Sequence, residues 1–262
     1  MSLPSHVAGT GPPVLVLPSL SLDNTAMRLA FEPAFSGDAG WSRVYLDLPG
    51  TGGAPPGEPS SDAVLADVIA TVDALLGTDE PFLVAGWSYG GYLAAALARR
   101  RPDRVAGLLM VCSGFRIRPA DRDLTGVLPS RPEPGWLAGV PAHLHEYFAT
   151  AIGDQTAAAA ARAAAVLAAN GPVDEAYFQV LRSDGFAVCD EDPAPAFERP
   201  ASFVCGRRDR IAGYRGCYEN LGRFPRADFV LAAEAGHFLP VEEPGLLKGA
   251  VRAWLSRCAA SR

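Results

Sequence analysis

Phe82-Leu83-Val84-Ala85-Gly86-Trp87-Ser88-Tyr89-Gly90-Gly91-Tyr92-Leu93 decides the fold: an apolar run, a serine set between glycines, and the start of an alanine-rich helical pattern. It reads as strand, tight turn, helix. Gly86 and Gly90 carry no side chain to clash with the strand or helix beside the turn. Ser88 is therefore free to take a strained backbone conformation that thrusts its hydroxyl into the open. The helix that follows aims its N-terminal amides at the same point, where they stabilise negative charge developing beside Ser88. Such a site suits attack on a carbonyl.

Outward from this element, apolar strands alternate with helical patterns. Pro13-Val14-Leu15-Val16-Leu17 is the first clear strand, any earlier one being short, and its unbroken apolar character fits a sheet covered on both faces. Asp23 or Asn24 caps a helix through Met27, Leu29, Ala30 and Phe31. Residues 43–48 form a strand that empties into the loop Pro49-Gly50-Thr51-Gly52-Gly53. That glycine cluster lacks the lysine of a phosphate-binding loop, and no helix start follows it. Ser60 or Ser61 caps a helix with Val64, Leu65, Val68, Ile69, Val72 and Leu75 on one apolar face, ended by Gly77. Residues 105–112 are another buried strand. Strands separated by helices imply right-handed parallel crossovers, hence an α/β fold with a mostly parallel central sheet and helices on both faces.

The rhythm stops over residues 115–197, where a proline-rich passage gives way to short helical patterns at 143–149, 154–169 and 174–181. The alanines of 157–165 favour helix but supply little bulk, and read as a compositional habit. The sheet resumes at 201–205 and 227–231, and a final helix over 242–257 buries Leu246, Leu247, Ala250, Val251 and Trp254. The core thus comprises residues 1–114 and 198–262, with 115–197 inserted.

The chain has 262 residues and a net charge of −6, so no basic excess exists to neutralise phosphates, and no nucleic-acid partner is expected. Arg99-Arg100-Arg101, the basic run, closes the helix after Ser88, where cations suit the negative helix end. Five cysteines without C-x-x-C spacing read as reduced thiols in a cytoplasm. No apolar run approaches the roughly 20 residues that span a bilayer, so no membrane association is expected. Four scattered histidines furnish no metal cluster, and no cofactor is expected.

A serine hydroxyl is a poor nucleophile at neutral pH and needs a base, usually histidine, plus a carboxylate to fix the histidine's tautomer. His6 lies in an unpatterned N-terminus, and His143 and His145 lie in the insertion. His237 follows a strand in Glu234-Ala235-Gly236-His237-Phe238-Leu239-Pro240, where strand ends and ligand sites coincide.

Gly86-Trp87-Ser88-Tyr89-Gly90 matches the G-x-S-x-G nucleophile elbow, and the chain resembles the α/β-hydrolase family. The resemblance covers nearly everything outside the insertion, which itself resembles the family's helical lid. The His237 loop, with Glu243-Pro244 behind it, resembles the histidine loop of lid-bearing members. Asp209, in Gly206-Arg207-Arg208-Asp209-Arg210-Ile211, matches the family's acid turn and falls between serine and histidine in chain order. The resemblance implies a Ser88, Asp209, His237 triad and an oxyanion hole from the amides of Tyr89 and Leu20. Where the family usually shows His-Gly this chain has Pro18-Ser19, and serine does not take glycine's angles freely.

The activity implied is hydrolysis of a small carboxylic ester through an acyl-serine intermediate, with a small molecule as the expected partner. Carbon-carbon bond hydrolysis of the aromatic-degradation type is the alternative. The family's other chemistries, lactone and thioester cleavage, peracid formation and acyl transfer, also stay open, since fold does not settle chemistry. A non-catalytic binder is the remote rival. Trp87, Arg116 and Phe238 are expected at the substrate pocket, with Arg116 and Arg118 placed to hold a substrate carboxylate.

Overall fold

The computed structural model describes residues 2–37, 40–191 and 196–261. Seven strands form one sheet: β1 (Ser5–Ala8), β2 (Pro13–Leu17), β3 (Ser42–Leu46), β4 (Phe82–Trp87), β5 (Val105–Val111), β6 (Ala201–Gly206) and β7 (Ala227–Ala232). Their order is β1-β3-β2-β4-β5-β6-β7. The short β1 runs antiparallel to β3, and every other pairing is parallel. Both β2 and β4 are buried along their whole length because both sheet faces are covered. Side chains alternate between two cores: Val14, Val16, Leu83, Ala85 and Trp87 enter one, and Leu15, Leu17, Phe82 and Val84 the other.

Two helices sit on each face. The first core takes α1 (Asn24–Phe35) through Met27 and Phe31, and the second takes α2 (Ser61–Leu76) and α3 (Tyr89–Arg100). Asp23 caps α1, its Oδ1 accepting the Ala26 amide at 2.8 Å. Ser60 caps α2. The neighbouring Ser61 is instead fully buried, donating to the Phe186 carbonyl at 2.6 Å and sharing a hydrogen bond of 2.8 Å with the Tyr89 hydroxyl. Leu75 departs from the expected apolar face and is 44% exposed. β3 ends at Leu46, two residues early, because Asp47 turns aside to accept the amides of Asn24 at 2.8 Å and Gly53 at 3.0 Å.

Between β5 and β6 lie α4 (His145–Ala151), α5 (Ala157–Ala168) and α6 (Glu175–Ser183), the last two capped by Thr156 and Asp174. The alanine run has a packing role: Ala159, Ala160 and Ala163 are fully buried where α5 meets α1. After α7 (Arg215–Glu219), the expected final helix is two: α8 (Leu239–Glu242) and α9 (Pro244–Ala259). Pro244 forces the break, since proline lacks the donor an unbroken helix needs and suits a first turn. α9 completes the first core with Leu247, Val251 and Trp254, while Leu246 and Ala250 are partly buried at its edge. Among the described residues no helix is long and apolar enough to cross a membrane.

Candidate active site

Ser88 sits between β4 and α3 with φ +54° and ψ −117°, the strained turn expected of it. A Cβ at Gly86 would overlap the backbone of Gly90, and one at Gly90 would overlap the carbonyl of Leu17. The serine's main chain is held from β5: its amide donates to the Val111 carbonyl at 2.9 Å, and Ser113 Oγ donates to its carbonyl at 2.7 Å.

His237 and Asp209 meet Ser88 from the ends of other strands. His237 Nε2 lies 2.8 Å from Ser88 Oγ, and Nδ1 lies 2.9 Å from Asp209 Oδ2. Asp209 follows β6 and is fully buried; its Oδ1 accepts the amides of Ile211 and Ala212, both at 2.9 Å. A carboxylate at Nδ1 demands a proton there, which leaves Nε2 as the acceptor facing the serine hydroxyl. The main chain of His237 is fixed at both ends. Its amide donates to the Ala151 carbonyl at 2.6 Å, and its carbonyl accepts from Trp87 Nε1 at 2.8 Å.

Behind this loop lies a carboxylate with no counterpart among the expected residues. Glu242 is buried, and its Oε2 accepts the amides of Gly153 at 2.8 Å, Asp154 at 2.7 Å and Gly236 at 3.0 Å. It thereby ties the insertion, at Gly153 and Asp154, to the residue before His237. Burial pushes its pKa up to about 7, against the three amides that favour the charged form; nearby Asp209 adds to the rise.

A cavity of about 350 Å³ opens over Ser88 and His237. Leu20, Tyr89, Trp87 and Phe238 line it. The Tyr89 amide, first in its helix, has no intrahelical acceptor. No acceptor among the described residues takes the Leu20 amide either. Two residues lining the Ser88 cavity thus carry backbone amides without an acceptor among the described residues. At the Pro18-Ser19 departure, Ser19 takes no positive φ; the positive φ of this loop falls two residues on, at Ser21, at +63°.

Arg116 corrects the sequence reading. It is exposed, pairs with Glu191 at 3.3 Å and borders a separate cavity beside Phe115 and Phe224. The chain after β5 turns so that Ile117 points inward and Arg116 outward, and Arg118 is likewise exposed away from the serine. The cations at the Ser88 cavity are Arg182 and Arg122, the latter bordering both cavities, with Tyr147 and Phe186 beside them. Residues from the insertion carried no local signal, because only tertiary packing brings them over the sheet. One cluster with metal-ligand chemistry exists among the described residues, Asp62, Cys189 and Asp190, and Arg100 already serves as its cation.

A model described as "Alpha/beta hydrolase family" matches residues 14–248. The chain belongs to the alpha/beta hydrolase family. Over 83 residues, 32% of the chain, it is 37% identical to a pimeloyl-[acyl-carrier protein] methyl ester esterase of Neisseria meningitidis. Over 253 residues, 94% of the chain, it is 28% identical to the polyketide synthase ThaQ of Burkholderia thailandensis. The matches span 30% of the esterase and 12% of the synthase. Among solved structures, an alpha/beta superfamily hydrolase from Oenococcus oeni PSU-1 superposes with TM-score 0.85 at 25% identity, covering 97% of this chain and 96% of that one. The enol-lactonase of Burkholderia xenovorans LB400 shares the fold at TM-score 0.73 and 20% identity, covering 97% and 96%.

Proposed function

We propose that this alpha/beta hydrolase cleaves carboxylic esters through an acyl-Ser88 intermediate. The observation that carries this reading is the unbroken hydrogen-bond chain from Ser88 through His237 to buried Asp209, opening on a cavity. His237 Nε2 takes the Ser88 proton as Oγ attacks the ester carbonyl. The resulting oxyanion is received by the amides of Tyr89 and Leu20. His237, now an imidazolium stabilised by Asp209, passes the proton to the leaving alkoxide; it then takes one from water as the water oxygen attacks the acyl group, and returns it to Ser88 Oγ as the acyl–Oγ bond breaks and the acid leaves. Residues 115–197 act as the lid, Tyr147, Arg182 and Phe186 forming its side of the cavity.

The carbon-carbon bond reading does not find its arginine in Arg116, which borders another cavity, and stays the alternative. One relative is named for a methyl ester on an acyl-carrier protein, so the substrate panel includes a carrier-bound acyl ester beside free ones. The test is to treat the protein with a serine-directed organophosphonate and to assay p-nitrophenyl esters of graded acyl length. Labelling of Ser88 alone, and loss of both labelling and turnover in a folded Ser88→Ala protein, is the expected result. Labelling of Ser113 instead, or none, defeats the proposal.

A further inference from the structure

The protein is acidic overall, yet its Ser88 cavity has no carboxylate among its described lining residues and two arginines. A cavity for an uncharged ester has no use for this inversion. Long-range attraction from two cations raises the local concentration of anions and penalises neutral competitors only by desolvation. The two arginines also differ in how they are held.

Arg122 is fixed by backbone oxygens. Its Nε donates to the Ile117 carbonyl at 3.0 Å, one terminal nitrogen donates to the Ile211 carbonyl at 2.9 Å, and the other donates to Ile117 again. A guanidinium has five N–H donors, so one on each terminal nitrogen is left over. No carboxylate pairs with it among the described residues. Asp209 lies close enough to be felt electrostatically, but spends its oxygens on His237, Ile211 and Ala212. Partial burial of Arg122 lowers its pKa, the mark of a guanidinium drawn away from water without an ion pair. Arg182, in the last turn of α6, is exposed at the cavity and makes no hydrogen bond or ion pair among the described residues. One cation is thus held by backbone oxygens with donors to spare, and the other is exposed at the same opening with no side-chain partner among the described residues.

We infer that the natural substrate carries an oxyanion group remote from its ester bond, bound between Arg182 and the two unengaged N–H donors of Arg122. The proposal rests on the esterase reading above and names the substrate class for that site. A carboxylate and a phosphate share the chemistry that a guanidinium recognises, paired oxygens at fork spacing. The group enters the cavity with its negative charge toward α6 while the acyl carbonyl reaches Ser88.

The test compares matched p-nitrophenyl esters: hexanoate, the mono-ester of adipate, and the ester of 6-phosphooxyhexanoate. The expected result is a kcat/KM for one or both charged esters above that of hexanoate by on the order of tenfold or more, the size of a hydrogen bond to a charged group. The preferred member of the pair identifies carboxylate or phosphate as the source. Arg182→Gln narrows the charged-to-neutral ratio through KM, Arg182→Lys retains part of it, and 0.5 M salt narrows it in the parent protein. Arg122→Gln is the second variant, since its loss of the Ile211 bond disturbs the acid turn. A charged-to-neutral ratio near one, or a ratio indifferent to Arg182 and to salt, overturns the proposal. Should no ester turn over, the esterase reading fails separately; thermal stabilisation by adipate or phosphate, lost in Arg182→Gln, still supports the anion site, and its absence defeats it.

Discussion

Trp87 Nε1 donates to the backbone carbonyl of His237 at 2.8 Å, so the residue before Ser88 holds the main chain of the residue opposite it. The indole is wedged between Phe31, stacked at 6.4 Å, and Phe238, edge-on at 5.3 Å. Trp87→Phe keeps most of that packing and strands a buried carbonyl. The expected loss is about 1–3 kcal/mol of stability, with a lower kcat because the imidazole is no longer pinned. Denaturant midpoints and ester turnover check both, and an unchanged kcat would show that the bond does not serve the base.

Asp209→Asn should reduce kcat by on the order of 10²- to 10⁴-fold. Oδ1 is committed to the amides of Ile211 and Ala212, so the new NH₂ group falls where Oδ2 now meets Nδ1. It forces the tautomer with a proton on Nε2, which cannot accept one from Ser88. Asp121, in an exposed turn beside the other cavity, is the control. Near-normal turnover in Asp209→Asn beside an inactive Asp121→Asn would relocate the acid.

Glu242 gives stability a pH dependence of defined sign. Its folded pKa is raised from an ordinary 4.5 to about 7, so the cost of keeping it charged is absent below 4.5 and complete above 7. Stability from this residue is therefore lost as pH rises through that window, by roughly 3 to 3.5 kcal/mol. Glu242→Gln, neutral throughout, should remove this component while keeping an acceptor for the three amides; Glu242→Ala should destabilise at every pH. Melting curves from pH 5 to 8 decide, and parallel pH profiles for parent and Gln proteins would assign the titration elsewhere.

Gly90→Ala should cost about 3 kcal/mol or more, because the added carbon meets backbone at Leu17 and Pro18 rather than a yielding side chain. Gly249, exposed within α9 with nothing within 4 Å of an added carbon, supplies the contrast. Gly249→Ala should stabilise by about 0.5–1 kcal/mol. Equal effects at the two positions in chemical denaturation would contradict the packing at the turn.

The elements that the sequence made legible are those whose signals are local. The run 82–93 carries its strand, turn and helix within twelve positions, and Asp209 and His237 each lie just past a strand that periodicity reveals. The misreadings came from long-range packing. Leu75 continues an apolar spacing but lies beyond the reach of the core, and Arg116 has the right distance from β5 but the wrong direction. Glu242 was illegible for another reason. Glutamate is rarely buried, and nothing in Glu242-Glu243-Pro244 tells which carboxylate three distant amides will claim. The arginines at the cavity depend on how α6 docks, which no short stretch encodes.

Glycines 153 and 236 approach so closely that neither admits a side chain, and Glu242 sews the amides on both sides together. That seam makes the contact of the insertion with the His237 loop a weld rather than a hinge. Any excursion of residues 151–154 would expose three amide protons together and drag the His237 main chain out of register with Ser88. In hydrogen exchange, Gly153, Asp154 and Gly236 should open as a single cooperative unit, more slowly than the C-terminal turn of α6.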